Sequence, residues 1–292
     1  MNYIILVVAT LLCSAKSIVT KLMGGAAKAP HDMLLMNGIL FLIASITAGF
    51  TGGFEKMAEI STYSLLMAAL LAFFLLFTII MQSYAMSKGP VSLGSLIYSL
   101  GFLLPIFYSA AFLGESVSIF QCFGILLIIA ALFLIIAPEK GKKISLLWVI
   151  LAFLAMAGSG TSGVLQKIHQ NTQFKNELNA FVLYSFLFAS VLSFSASLIT
   201  KKAIIKERYS LFDRKRNIGL IIAGGLVVGF MNIANTYLTG KLPAVIQFPI
   251  YNTSSMIISA VLGKVIFGDK LSKRKLIGFV TGLVAVTIIG LT

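Results

Sequence analysis

Acidic residues are scarce in this chain: nine Asp and Glu stand against 23 Lys and Arg in 292 residues, a formal charge of +14. None of the nine lies deep inside an apolar run. The sequence therefore lacks a mid-membrane carboxylate, the simplest proton-coupling device in a bilayer. Histidine is almost missing too. His31 and His169 lie in or beside loops without metal-spaced partners, which argues against a metal centre and against a membrane enzyme of the zinc or Ser–His kind. No cofactor is expected. The two cysteines, Cys13 and Cys122, sit within apolar runs and are expected as buried thiols, too few for a disulfide framework or a structural zinc site. Strand-like alternation of polar and apolar residues is absent, which excludes a transmembrane barrel. The first residues, MNYIILVVATLLCS, carry no positive charge ahead of the apolar run, so a first transmembrane helix is expected there rather than a cleaved signal peptide.

What is present is long apolar runs. The chain is 59% hydrophobic and 11% charged, with a mean hydropathy of +1.00, and its runs match helices crossing a hydrocarbon core roughly 30 Å thick. Breaks at charges, Gly and Pro place spans near 3–22, 33–53, 63–86, 90–112, 117–137, 145–167, 178–200, 217–239, 243–266 and 276–291, with ends accurate to about two to four residues. The longest connection, near 201–216, reads KKAIIKERYSLFDRKR, a solvated charged loop.

The basic residues divide unevenly between the loops. Seventeen lie in odd-numbered loops, four (Lys56, Lys167, Lys175 and Lys241) in even-numbered loops, and Lys16 and Lys264 within spans. The positive-inside rule then places the odd loops in the cytoplasm and both termini outside. Positive charge at span ends serves orientation and contact with anionic membrane lipids, not nucleic acid.

The two halves of the chain repeat. YAMSKGPVSLGSLIYS from Tyr84 overlies YLTGKLPAVIQFPIYN from Tyr237, pairing Lys88 with Lys241, Pro90 with Pro243, Ile97 with Ile250 and Tyr98 with Tyr251. After one inserted residue, Glu115 pairs with Asp269, Ser118 with Ser272, Gly124 with Gly278, Ala131 with Ala285 and Ile135 with Ile289. Matching Pro, Lys, Tyr and acid at the same helix ends carries more weight than matching Leu. Five spans is an odd number, so the second copy enters the membrane from the opposite side. The expectation is an all-α membrane protein of ten transmembrane helices in two inverted five-helix repeats, residues 1–139 and 144–292, with a site near the midplane between them.

On these features the sequence resembles the drug/metabolite transporter superfamily, specifically its ten-span members with two EamA-type halves. The resemblance covers nearly the whole chain and rests on Pro90, Pro105 and Gly114–Glu115 in the first half, and on Pro243 and Gly268–Asp269 in the second, with Ile258 where Pro105 would map. It implies a plasma-membrane secondary transporter, an exporter or exchanger of a small polar metabolite such as an amino acid or organic anion, working by alternating access. A flippase for a lipid-linked carrier or headgroup shares the fold, and a lateral opening to lipid would separate the two. Many relatives are described with both termini cytoplasmic, whereas the charge count here places them outside.

Lys16 is the sharpest single feature, a charge within the first span. Such a charge costs at least about 2.5–3.5 kcal/mol and faces a partner or a cavity unless its stem snorkels to the headgroups. It is a candidate for a substrate carboxylate or phosphate. Tyr98 and Ser99 in span 4, Thr161 in span 6, and Tyr251 and Asn252 in span 9 are candidate binding residues, with Ser159, Ser162, Ser254 and Ser255 as further polar groups at these depths; Gln82, Asn232, Asn235 and Gln247, nearer span ends, are candidate gate residues. Helix-to-helix hydrogen bonding is the competing role for the serines. Pro105 and Pro249 are expected to kink or break their helices, and Glu115 and Asp269 to pair at helix ends. Gly278 and Gly282 form GxxxG in span 10, suited to helix contacts within the chain or to a homodimer face.

Overall fold

The computed structural model describes residues 1–23, 30–136, 144–201, 215–268 and 272–292. The first half runs through α1 (Asn2–Met23), α2 (Pro30–Ala48), α3 (Thr62–Lys88), the paired segments α4 (Val91–Ser99) and α5 (Leu103–Phe112), and α6 (Ile119–Ile135). The second half contains α7 (Leu146–Gln170), α8 (Leu178–Lys201), α9 (Lys215–Thr239), α10 (Ala244–Phe267) and α11 (Lys273–Leu291). Among the described residues nine helices are long and apolar enough to cross a membrane, the pair α4–α5 counting as one, and α6 is a shorter tenth. At 1.5 Å per residue its 17 residues span about 25 Å.

Helix ends follow from local chemistry, and the two halves repeat it. Pro90 and Pro243 occupy the N-cap positions of α4 and α10, where a missing N–H leaves no bond unmade. Ser118 and Ser272 cap α6 and α11 through their side chains, accepting from Gln121 N and Lys275 N. Gly114 and Gly268 adopt φ of 68° and 70°, the left-handed turn that only glycine enters without strain.

The clearest sign of the repeat is the contact between α6 and α11. A methyl group placed on Gly124 would lie 2.5 Å from Ile289 Cγ1 and 3.3 Å from the Ala285 oxygen. One placed on Gly278 would lie 2.8 Å from Ile135 Cγ1 and 3.0 Å from the Ala131 oxygen. Each glycine thus receives the repeat-equivalents of the residues its counterpart receives, as a two-fold axis between the halves requires. Lipid tails are as apolar as leucine, so such packing of small residues, rather than escape from water, holds the helices together.

Gly278 packs against α6, and Gly282 faces Thr253 and Ile257 of α10, so both glycines of the GxxxG pair make helix contacts within the chain. Cys122 departs from expectation. Both thiols are free, but Cys122 is exposed on α6, next to the exposed Phe120, Phe123 and Leu126. The outer surfaces of α1 (Ile4, Val7, Leu11) and α11 (Leu276, Val280, Leu283) are similarly apolar and exposed, as a protein solvated by lipid tails requires.

Candidate functional site

Span 4 is not one helix. It breaks between α4 and α5 at a 3₁₀ turn, Leu100–Phe102. Pro105 has no N–H to return to the carbonyl four residues earlier. Gly101 lets the broken segment approach α7, where a methyl group on it would meet the Met156 oxygen at 2.9 Å and Gly160 N at 3.3 Å. Irregular backbone at membrane depth is tolerated where it lines a cavity, and this segment does so. Pro249, by contrast, sits within the otherwise continuous helix α10.

The cavity has two adjoining lobes of about 430 and 530 Å³ that share Lys16, Gln82, Tyr98, Ser159, Ser162 and Asn232 among their lining residues. The first lobe extends to Met33 and Met86, near the odd-loop ends of α2 and α3. The second lies against the broken span and adds Ser99, Asn235, Tyr251 and Asn252. Tyr98 and Tyr251, equivalent in the two halves, therefore face one space. Thr161 lines neither lobe, whereas its neighbours Ser159 and Ser162 line both. Gln247 is also outside the lining; it is wholly buried between helices.

Charge in this cavity is of one sign. Among the described residues no acidic residue lines either lobe, and Lys16 is the one charged residue that does. Among the described residues its ammonium has no carboxylate or carbonyl partner. The asparagine amides are tethered: Asn232 donates to Val228 O at 2.9 Å and Asn252 to Phe248 O at 2.8 Å. Ser99 and Ser162 bond back to their own helices in the same way. The lining thus offers one cation, two phenols and several oriented amides within largely apolar walls, the composition of a small-molecule site.

The face of the even-numbered loops is closed by two sets of contacts. The Lys167 ammonium lies 2.6 Å from Glu115 Oε1 and donates to Leu242 O at 2.9 Å, while Glu115 Oε2 accepts from Ala244 N at 2.6 Å. One carboxylate of the first half so clasps α7 and the start of α10 in the second. Beneath it, Asn235 donates to Gln166 Oε1 at 3.1 Å, and Gln247 donates to the Asn235 backbone oxygen at 2.9 Å and to its side-chain oxygen at 3.1 Å. Lys167 corrects its sequence reading. Helix α7 continues to Gln170, so this lysine is buried within the span rather than placed in a loop. Asp269, expected at a helix end, lies outside the described residues.

His169 is likewise fully buried, contacting Ser64 Oγ at 2.9 Å and Gln170 Nε2 at 3.0 Å and stacked on Phe181 with ring centroids 3.9 Å apart. No group of three or more metal-ligating side chains occurs among the described residues.

Residues 1–137 and 146–291 both match the model of the EamA-like transporter family. The chain belongs to that family. As an EamA-like transporter it is a multi-pass membrane protein of a transporter family, not of an enzyme family. No curated protein matches the chain. Among solved structures 29 chains match. One, titled "Crystal structure of protein", superposes with a TM-score of 0.77 at 15% identity, covering 99% of this chain and 97% of that one. At that identity the likeness is one of fold. It spans both halves, so the shared fold extends over nearly the whole of the EamA-like transporter.

Proposed function

We propose that this EamA-like transporter carries a small polar metabolite bearing a carboxylate or phosphate, such as an amino acid or organic anion, by alternating access between its two halves in the plasma membrane. The observation that carries the reading is Lys16, a charged side chain lining the cavity with no acidic residue in the walls around it. A charge within a span calls for a partner or an aqueous cavity, and a substrate anion entering this cavity supplies the counter-charge. Tyr98, Tyr251, Asn232 and Asn252 supply hydrogen bonds to the rest of the molecule.

The clasp of Glu115 and Lys167 closes the even-loop face, while the cavity lining runs toward the odd-loop ends of α2 and α3. These features support a state accessible from the odd loops, with Gln82 toward the open end and Asn235 and Gln247 at the closed one. Given the excess of Lys and Arg in the odd loops, that state faces the cytoplasm and both termini lie outside. Breaking the clasp and closing the odd-loop ends around the same site gives the opposite state.

A thermal-shift screen of the purified transporter against amino acids, organic acids and sugar phosphates tests the assignment, because a ligand that binds the folded protein raises stability by RT ln(1 + [L]/Kd). An anionic hit should bind Lys16→Gln about tenfold to a hundredfold more weakly, the range for losing one charge-assisted hydrogen bond. A hit bound equally by Lys16→Gln would remove Lys16 from the site. Stabilisation by lipid-linked phosphates alone would identify a flippase instead.

A further inference from the structure

A second opening lies apart from the central cavity. A groove of about 740 Å³ lies between α1 and α9 on the outer wall, close to the even-loop face. It shares no lining residue with either central lobe. Its walls are Ile5, Val8 and Leu12 of α1 with Phe230, Ile233 and Tyr237 of α9. These residues fall at spacings of three and four, one face of each helix. From Ile5 to Leu12 the groove runs about 10 Å along the helix axis. The surface on either side, with exposed Ile4, Val7, Leu11 and Leu226, is apolar.

The mouth of the groove is cationic. Lys175 and Lys241 line it together with Asn176 and Asn179, and among the described residues no acidic one is in its lining. A third lysine, Lys56, donates to the backbone oxygen of lining residue Asn176 at 3.2 Å. With Lys167 buried in α7 and paired with Glu115, the other three lysines assigned to the even loops gather at this opening. Tyr237 stands just inside it, with Lys241 Nζ 5.8 Å from its ring, the aromatic and basic pairing of a membrane interface.

We propose that this groove is a binding site for an anionic phospholipid, its phosphate held between Lys175 and Lys241 and one acyl chain lying along α1 and α9. The charge complementarity decides the occupant. A zwitterionic lipid would bring a choline cation to a mouth lined by two lysines. A soluble anion would leave the apolar length of the groove unfilled. The site is separate from the transport cavity, and its lipid binds where it would brace α1, the helix that carries Lys16, against α9, which carries Asn232 and Asn235.

Delipidated, detergent-purified protein titrated with dioleoylphosphatidylglycerol or dioleoylphosphatidylcholine, and read by native mass spectrometry and thermal shift, tests this. Phosphatidylglycerol should bind in preference. The Lys175→Gln/Lys241→Gln double variant should lose roughly thirtyfold in affinity for it, since a lysine near a lipid phosphate contributes roughly fivefold each. Both lysines are exposed, so the unliganded melting temperature should stay unchanged. Val8→Trp, which fills the groove and keeps both lysines, should also expel the lipid, whereas Lys16→Gln should leave it bound. Equal binding of the two lipids, full retention in the double variant, retention in Val8→Trp, or reproduction of the shift by millimolar inorganic phosphate would each overturn the proposal. Loss of lipid in Lys16→Gln would place it in the central cavity and overturn it as well.

Discussion

The Lys167 ammonium and the Glu115 carboxylate meet 2.6 Å apart across the two halves of the chain, and their burial is unequal: the lysine side chain is 3% exposed and the glutamate 20%. That inequality predicts unequal mutants. Glu115→Gln leaves a buried cation with neutral acceptors, Leu242 O and the new amide oxygen, and no counter-charge, and should cost about 3 kcal/mol. Lys167→Met leaves a carboxylate that water reaches and that keeps its bond from Ala244 N, and should cost nearer 1 kcal/mol. The double variant Glu115→Gln/Lys167→Met should recover much of the loss. Thermal unfolding of the three proteins in detergent checks this. Equal losses in the two single variants would mean that the pair is as hydrated at one end as at the other.

The exchange of contacts between Gly124 and Gly278 predicts matched effects. Gly124→Ala forces Ile289 to move, and Gly278→Ala forces Ile135 to move. Each should destabilise by about 1–3 kcal/mol through overpacking. Ile289→Ala should relieve the first, whereas Ile135→Ala should relieve the second only in part, because Leu134 Cβ at 2.9 Å and the Ala131 oxygen at 3.0 Å also meet the new methyl group. Crossed pairs should show no relief. Unfolding midpoints of the singles and doubles provide the cycle. Relief by the crossed pairs would contradict the two-fold arrangement.

Much of the fold was legible because its signals are short-range. Pro90 and Pro243, Ser118 and Ser272, and the glycines before Glu115 and Asp269 act on backbone within a few residues of themselves, so a repeated pattern in sequence becomes a repeated set of helix ends. Rotation and partnership were not legible. Thr161 and Ser162 are neighbours, yet consecutive helix residues point about 100° apart, and the second lines the cavity while the first does not. Cys122 lies in a run apolar on all sides, where nothing local distinguishes the lipid face from the packed one. Lys167 carried the look of a loop residue, and its partner Glu115 is 52 positions away across the repeat boundary, a distance that charge patterning cannot see. GxxxG at Gly278 and Gly282 correctly signalled close packing but could not name the helices that fill it.

His169 allows a structural role to be separated from a transport role. It is stacked on Phe181 and bonded to Ser64 and Gln170, and it does not line the central cavity. His169→Leu should lower thermal stability by about 1–2 kcal/mol, since intramembrane hydrogen bonds are worth about 0.6 kcal/mol on average and the ring stack is lost with them. Substrate affinity of the folded fraction should not change. A selective loss of affinity would bring His169 into the transport site.

The native cysteines report which face is open. Cys13 lines the second lobe, one turn before Lys16, whereas Cys122 is exposed among lipid-facing side chains. A charged, membrane-impermeant thiol reagent should therefore modify Cys13 and spare Cys122, and a saturating substrate should protect Cys13. In proteoliposomes of known orientation the reaction should proceed from the odd-loop side, because the clasp of Glu115 and Lys167 and the bonds among Gln166, Asn235 and Gln247 close the other. Glu115→Gln should raise the rate from the even-loop side severalfold, by weakening the closed state without touching the cavity wall. A Cys122→Ser background leaves Cys13 as the one thiol in the sequence, so any labelling reports on it. Fast labelling from the even-loop side in the unmodified protein would mean that the clasp does not seal the cavity.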